Sequence, residues 1–184
     1  MSTDEILGFL AALGIFLLVF CFIVLAVVIV QFIANWKLFE KAGQPGWSAI
    51  VPVYNTMQIF RIGLGDFKLA WIWVGLYGGQ IVLNTLNSLS SVFLSDSDAV
   101  AIVSLFTSFA IMGLSLGMAG LAGYACYMFA KSYGKSEAFC ILSILFSGIT
   151  FIIMGFDKST QYIGPKGIPQ NNGYYNNYNK NNIF

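Results

Sequence analysis

From Ile6 to Ile33 the chain runs for 28 residues without a charged side chain. About 20 mostly apolar residues are enough for a helix to cross the hydrocarbon core of a bilayer, so this run alone points away from a water-soluble fold. Composition agrees: of 184 residues 58% are hydrophobic and 9% charged, with no His, and the mean hydropathy is +0.77. An ordinary soluble domain is about a quarter charged, so this chain cannot cover a globule of its size. A soluble enzyme, a nucleic-acid binder and a disulfide-stapled secreted domain are excluded. The net charge of +1 implies no polyanionic partner such as a nucleic acid. The run is not expected to be a cleaved signal peptide. Asp4 and Glu5 precede it where a signal carries basic residues, and it far exceeds a signal's core of about 7–15 apolar residues.

The same periodicity and length arguments divide the rest of the chain. The first helix is expected to continue through Trp36, Lys37 and Lys41 into the headgroup boundary, where an amphipathic indole ring is stable. Ala42 to Trp47 holds Gly43, Pro45 and Gly46, the composition of a turn. Ser48 to Gly65 is too short and polar to span. Its Ile50, Val53, Met57, Phe60 and Leu64 fall at helical spacing, with Ser48, Asn55, Gln58 and Arg61 largely off that stripe. This predicts a helix lying in the interface plane over 42–66, or a short re-entrant element. Further spans are expected within 67–94, 100–130 and 138–156. The expectation is therefore an all-α, four-span membrane domain over residues 1–165, followed by a polar tail, 166–184. Residues 171–182 read NNGYYNNYNKNN, a low-complexity stretch with nothing to bury.

Lys and Arg set the orientation. Lys37, Lys41, Arg61, Lys68, Lys131 and Lys135 flank two connections, whereas the N-terminal segment and the Asp96/Asp98 loop carry none. The basic connections are therefore expected in the cytoplasm, and four spans put both the N-terminus and the tail outside. Lys158, Lys166 and Lys180 in the tail run against that arrangement.

No constellation in the sequence supports catalysis. The four apolar runs contain no Asp or Glu, which removes an intramembrane proton relay, and without His there is no Ser-His or Cys-His nucleophile pair. Cys21, Cys126 and Cys140 lack metal-ligand spacing and read as small buried hydrophobes. No catalytic residue, cofactor or metal site is expected. What does enter the bilayer is neutral and polar. Gln80, Asn84 and Asn87 share a face of the second span, and Ser143, Ser147 and Thr150 a face of the fourth. An unpartnered amide in hydrocarbon costs several kcal/mol, so these faces should meet protein or water. They serve either helix-to-helix hydrogen bonding or a path for a small solute. Gly113, Gly117, Gly120 and Gly123 in the third span allow close helix packing, within the chain or between copies.

Trp36-Lys37-Leu38-Phe39-Glu40-Lys41-Ala42-Gly43-Gln44-Pro45-Gly46-Trp47, continuing through Ile50, Pro52, Tyr54 and Asn55, resembles the W-K-x-F-x-K-A-G-x-P-G-W-x-x-I-x-P-x-Y-N signature of a small bacterial multi-pass membrane family of unknown function. Ala130 to Lys135 is similar to its A-K-x-F-G-K loop, and Gly155 to Asp157 with Tyr162 to Gly164 to its closing stretch. The resemblance implies bacterial origin and topology and brings no catalytic residue. A similar module is fused to some signal peptidases. The expected function is a non-enzymatic structural or accessory component of the bacterial cytoplasmic membrane, acting as a homo-oligomer or with a partner membrane protein. The rivals are a small transporter or channel subunit and an accessory to signal-peptide processing.

Overall fold

The computed structural model describes residues 3–93 and 97–169, and all of their regular structure is helical. Helix α1 spans Thr3–Lys41, α2 Pro52–Leu64, α3 Lys68–Phe93, α4 Ser97–Ser132, α5 Glu137–Leu145 and α6 Ser147–Phe156. Short 3-10 turns occupy Gly46–Ala49 and Pro165–Gly167. Three helices are long and apolar enough to cross a membrane: Glu5–Lys41, Lys68–Phe93 and Asp98–Ser132. The first, as its sequence suggests, carries Trp36 and Lys41 on one unbroken helix. Its 39 residues extend about 58 Å at 1.5 Å per residue, well beyond the ~30 Å hydrocarbon core. The Asn/Tyr-rich stretch 171–182 and residues 95 and 96 of the acidic loop lie outside the described residues, whereas Asp98 sits in the first turn of α4.

The fourth apolar run departs from the expected single span. Phe146, with φ −128° and ψ 47°, divides residues 138–156 into helices of 9 and 10 residues. Their neighbours give their directions. Glu137 at the start of α5 meets Lys131 of α4, and Ile144 near its end lies at Gly123, so α5 runs antiparallel to α4. Gly148 at the start of α6 lies at Gln31 and Gly155 near its end at Ala34, so α6 runs parallel to α1. Lys135 before the pair bonds Asp157 after it at 3.1 Å. The two helices form a hairpin that enters between α1 and α4, turns back at Phe146 and leaves where it came in. From Ser132 to Gly123 along α4 its depth is about 14 Å, near half the hydrocarbon core. One helix of this length could just cross such a core; neither half-helix alone is long enough to.

The chain after the hairpin therefore stays at the basic end. Ile163 donates its N–H to the Ser132 carbonyl at 2.9 Å, Tyr162 donates to the Ile62 carbonyl, and Gly167 packs on the Lys131 carbonyl. The start of the segment 166–184, expected on the side of the acidic loop, lies with Lys131 and Lys135 instead.

Packing is concentrated at this end. Leu38, Phe39, Ile62, Phe129, Ala130, Cys140, Phe151 and Met154 form one buried cluster, and Phe60, Leu64, Ala70 and Ala125 a second. Two close backbone approaches hold it together. A side chain at Gly63 would lie 2.8 Å from the Phe129 nitrogen, and one at Gly155 would lie 2.7 Å from the Ala34 carbonyl oxygen. By contrast, every residue of α1 from 5 to 30 is exposed.

Helix α2 also differs from its expected stripe. Pro52 occupies its first turn, where a missing N–H costs nothing, and Gly65 ends it in the left-handed conformation at φ 90°. Phe60 and Leu64 are buried, but Ile50 and Val53 at the other end of the stripe are exposed. Gln58, expected off the stripe, is fully buried, and its amide finds no partner among the described residues. The last two turns of α2 are covered by α4 on one side and by the segment around Tyr162 and Pro165 on another, so burial there follows neighbours rather than a single face.

Candidate functional site

The sequence motif over 36–61 folds into the packed basic end. Gly43, at φ 69°, turns the chain after α1. Pro45 leads into the 3-10 turn, and Gly46 leaves space for the Trp36 ring, since a Cβ there would lie 2.3 Å from the indole nitrogen. Trp36 in turn donates its indole N–H to Glu40 at 2.6 Å. Trp47 is exposed and stacks on Tyr54 at 5.5 Å. Arg61 lies over the Phe67 ring, and the side-chain oxygen of Asn55 is buried.

Lys41 leaves the motif to reach the hairpin. Its ammonium donates to the carbonyls of Met154 at 3.0 Å and Asp157 at 2.7 Å, with Gly155 at 3.4 Å. A cation over the last carbonyls of a helix satisfies groups that the helix cannot pair itself and opposes its dipole. Asp157 completes the joint. Its carboxylate accepts from the Ser159 N–H and hydroxyl, from Thr160 and from Lys135. The bonds from Ser159 and Thr160, and then that from Lys135, hold this carboxyl well below the usual carboxylate range. Glu137 is similarly lowered, by bonds from the Tyr127 hydroxyl and Lys131.

The amide face of α3 is divided. Gln80 donates to Ser115 of α4 at 2.7 Å, and Asn87 accepts from Thr107 of α4 at 3.2 Å. Asn84 is exposed and donates only to the Gln80 carbonyl of its own helix. Of the hydroxyl stripe in the fourth run, Ser143 and Thr150 are buried and bond carbonyls of their own helices. The glycines of α4 fall into two groups. Gly117 meets Leu76 at 3.8 Å and Gly123 meets Ile144 at 3.0 Å, whereas a Cβ on Gly113 or Gly120 would meet nothing within 4 Å. Cys21, Cys126 and Cys140 are free thiols, and among the described residues no cluster of His, Cys, Asp or Glu is arranged to hold a metal.

Two features were not anticipated. Gln31 donates to Asn35 at 3.3 Å beside the tip of the hairpin. Lys37 and Lys158 meet across a cleft at the end of α1, with the Lys37 ammonium 4.3 Å from the centre of the Phe156 ring. Their spacing of 121 positions leaves no local signal.

A model of a family of unknown function (DUF5684) matches residues 118–165. That segment covers the last turns of α4, the whole hairpin and the return to Ser132, and it includes Ala130–Lys135 and Gly155–Gly164, two of the three stretches that carry the sequence resemblance. No curated protein and no solved structure matches the chain.

Proposed function

We propose that the protein is a non-enzymatic component of a bacterial cytoplasmic membrane that works by lateral association in the bilayer, first with copies of itself. Helices α1, α3 and α4 cross, the α5–α6 hairpin re-enters from the cytoplasmic side, and α2 lies along that same boundary. The N-terminus is then outside. Residues 157–169 are cytoplasmic, which brings Lys158 and Lys166 to the side where Lys and Arg are favoured.

The observation that carries the association is the contrast between the two ends. The basic end is packed, while residues 5–30 of α1 are all exposed and the α3–α4 pair exposes an amide, Asn84, with open glycines at Gly113 and Gly120. Apolar side chains alone give helices no reason to associate in lipid. Small residues and an underused amide do. The rival reading, a polar path for a small solute, draws on the same face but retains only Asn84 of its three amides, because Gln80 and Asn87 are engaged within the chain.

A photo-reactive residue in place of Ile15 of α1 or Leu116 of α4, both exposed, tests the proposal in native membranes. Cross-links to a second copy are expected from Leu116, and Gly113→Ile with Gly120→Ile should abolish them without loss of insertion. Adducts to lipid alone from both positions would overturn it. Solute flux in liposomes that is lost in Asn84→Leu would favour the rival.

A further inference from the structure

Two clefts meet at the cytoplasmic end of α1. One, of about 430 Å³, is an apolar slot along Ile29, Phe32, Ile33 and Trp36, with Ile50 as its opposite wall. The other, of about 260 Å³, is a charged pocket bounded by Lys37, Lys41, Lys158, Phe156 and the acidic residues Glu40 and Asp157. Lys37 and Glu40 border both, so the slot opens directly into the pocket. The slot runs along α1 toward the bilayer centre and the pocket sits where the chain leaves the hydrocarbon.

The charges of the pocket are unevenly committed. The ammonium of Lys41 is spent on the carbonyls that end α6, Glu40 accepts the Trp36 N–H, and Asp157 is held by Lys135, Ser159 and Thr160. Neither Lys37 nor Lys158 has an ion-pair partner among the described residues, and both are exposed.

We propose that this composite cleft holds one anionic glycerophospholipid, an acyl chain in the slot and the phosphate between Lys37 and Lys158. The slot suits something apolar and elongated, the pocket, with three lysines against Glu40 and Asp157 and the latter paired to Lys135, favours an anion, and the two are joined at headgroup depth. A phosphodiester without a compensating ammonium matches two lysines that have no ion-pair partner among the described residues. A zwitterionic headgroup brings its own cation against them. The inference rests on the reading that the molecule is embedded in a bilayer and is independent of self-association.

The full chain in mild detergent, offered an equimolar mixture of phosphatidylglycerol and phosphatidylcholine, tests it by native mass spectrometry of the monomer. Phosphatidylglycerol should be retained in preference by about tenfold or more, the selectivity of two lysines acting near a membrane surface. K37Q with K158Q should bring the two lipids close to parity, and K68Q should not. Ile33→Trp fills the slot without altering charge and should release the lipid. Millimolar glycerol phosphate, which has the headgroup anion and no acyl chain, should fail to displace it. Equal retention of both lipids by the wild type overturns the proposal, as does retention unaffected by K37Q with K158Q. Retention unaffected by Ile33→Trp would mean surface attraction without a slot, and displacement by glycerol phosphate a free-anion site; either also overturns it. Because the readout is the monomer, failure of self-association leaves the result interpretable.

Discussion

The carboxylate of Asp157 accepts from Lys135, Ser159 and Thr160 while its carbonyl accepts from Lys41, so a single residue joins the ends of α1, α4 and the hairpin. Those bonds keep the carboxyl below its ordinary value, which makes the joint pH-dependent. An unfolded Asp titrates near pH 4 (about 3.9). With the folded value lower still, the contribution of Asp157 is complete above that pH and is lost as pH falls below it. Thermal unfolding in detergent should therefore shift to lower temperature progressively as the pH falls below about 4. Asp157→Asn should melt lower at pH 7 and show a shallower acid dependence. A residual slope is expected from Glu137, which is lowered in the same direction. An unchanged acid slope in the variant would assign the effect elsewhere. In the sequence, Asp157 stands only as part of a closing G-F-D, and Lys41 as a basic flank and a member of the W-K-x-F-x-K motif. Their meeting spans 116 positions, and nothing local foretells it.

At the scale of elements, the three long helices were legible because each must satisfy its backbone within itself and show lipid an apolar surface. The hairpin was not. Residues 138–156 carry no charge and are mostly apolar, and composition does not distinguish one crossing helix from two half-helices. The break at Phe146 has no proline; only Ser147-Gly148 after it hints at a weak point. The available clue lay outside the run, in Lys158 and Lys166, which a fourth crossing would put on the wrong side. The hairpin's grip on α1 depends on Gly155, where any Cβ would press on the Ala34 carbonyl and Cα. Gly155→Leu should destabilise by about 1–3 kcal/mol or more, as overpacking does. Gly148→Ala, whose Cβ would meet only the Gln31 side chain at an ordinary 3.5 Å, should be within about 0.5 kcal/mol of wild type. Thermal melting of the two variants side by side checks the contrast. Equal effects would mean that α6 does not lean on Ala34.

For the whole molecule, the three-span arrangement makes a prediction that a four-span one reverses. In a variant lacking the native cysteines, a thiol at Asp98 should react with an impermeant reagent on intact cells. Thiols at Ser136 and Ser159, both exposed, should be protected until the membrane is opened. Labelling of Ser159 together with Asp98 would restore a fourth crossing. The candidate site was legible only in pieces: the W-K-x-F motif identified the boundary, but the cleft between Lys37 and Lys158 exists only because the hairpin returns to the end of α1.

That return also sets an order of events during synthesis. In the proposed three-span arrangement, residues 138–156 offer the insertion machinery a stretch as long as a crossing helix, and the lysines that follow would hold it back. The wedge has no seat until α1, made first, and α4, made last of the long helices, stand side by side. A nascent chain halted before Ser147 lacks the Met154, Gly155 and Asp157 carbonyls that Lys41 caps, and it joins α1 to α4 through contacts such as Tyr133 with Leu38 and Phe129 with Phe39. The end of α1 from Gln31 to Lys41 is thus made early and fastened late, once nearly all of the described chain has been translated.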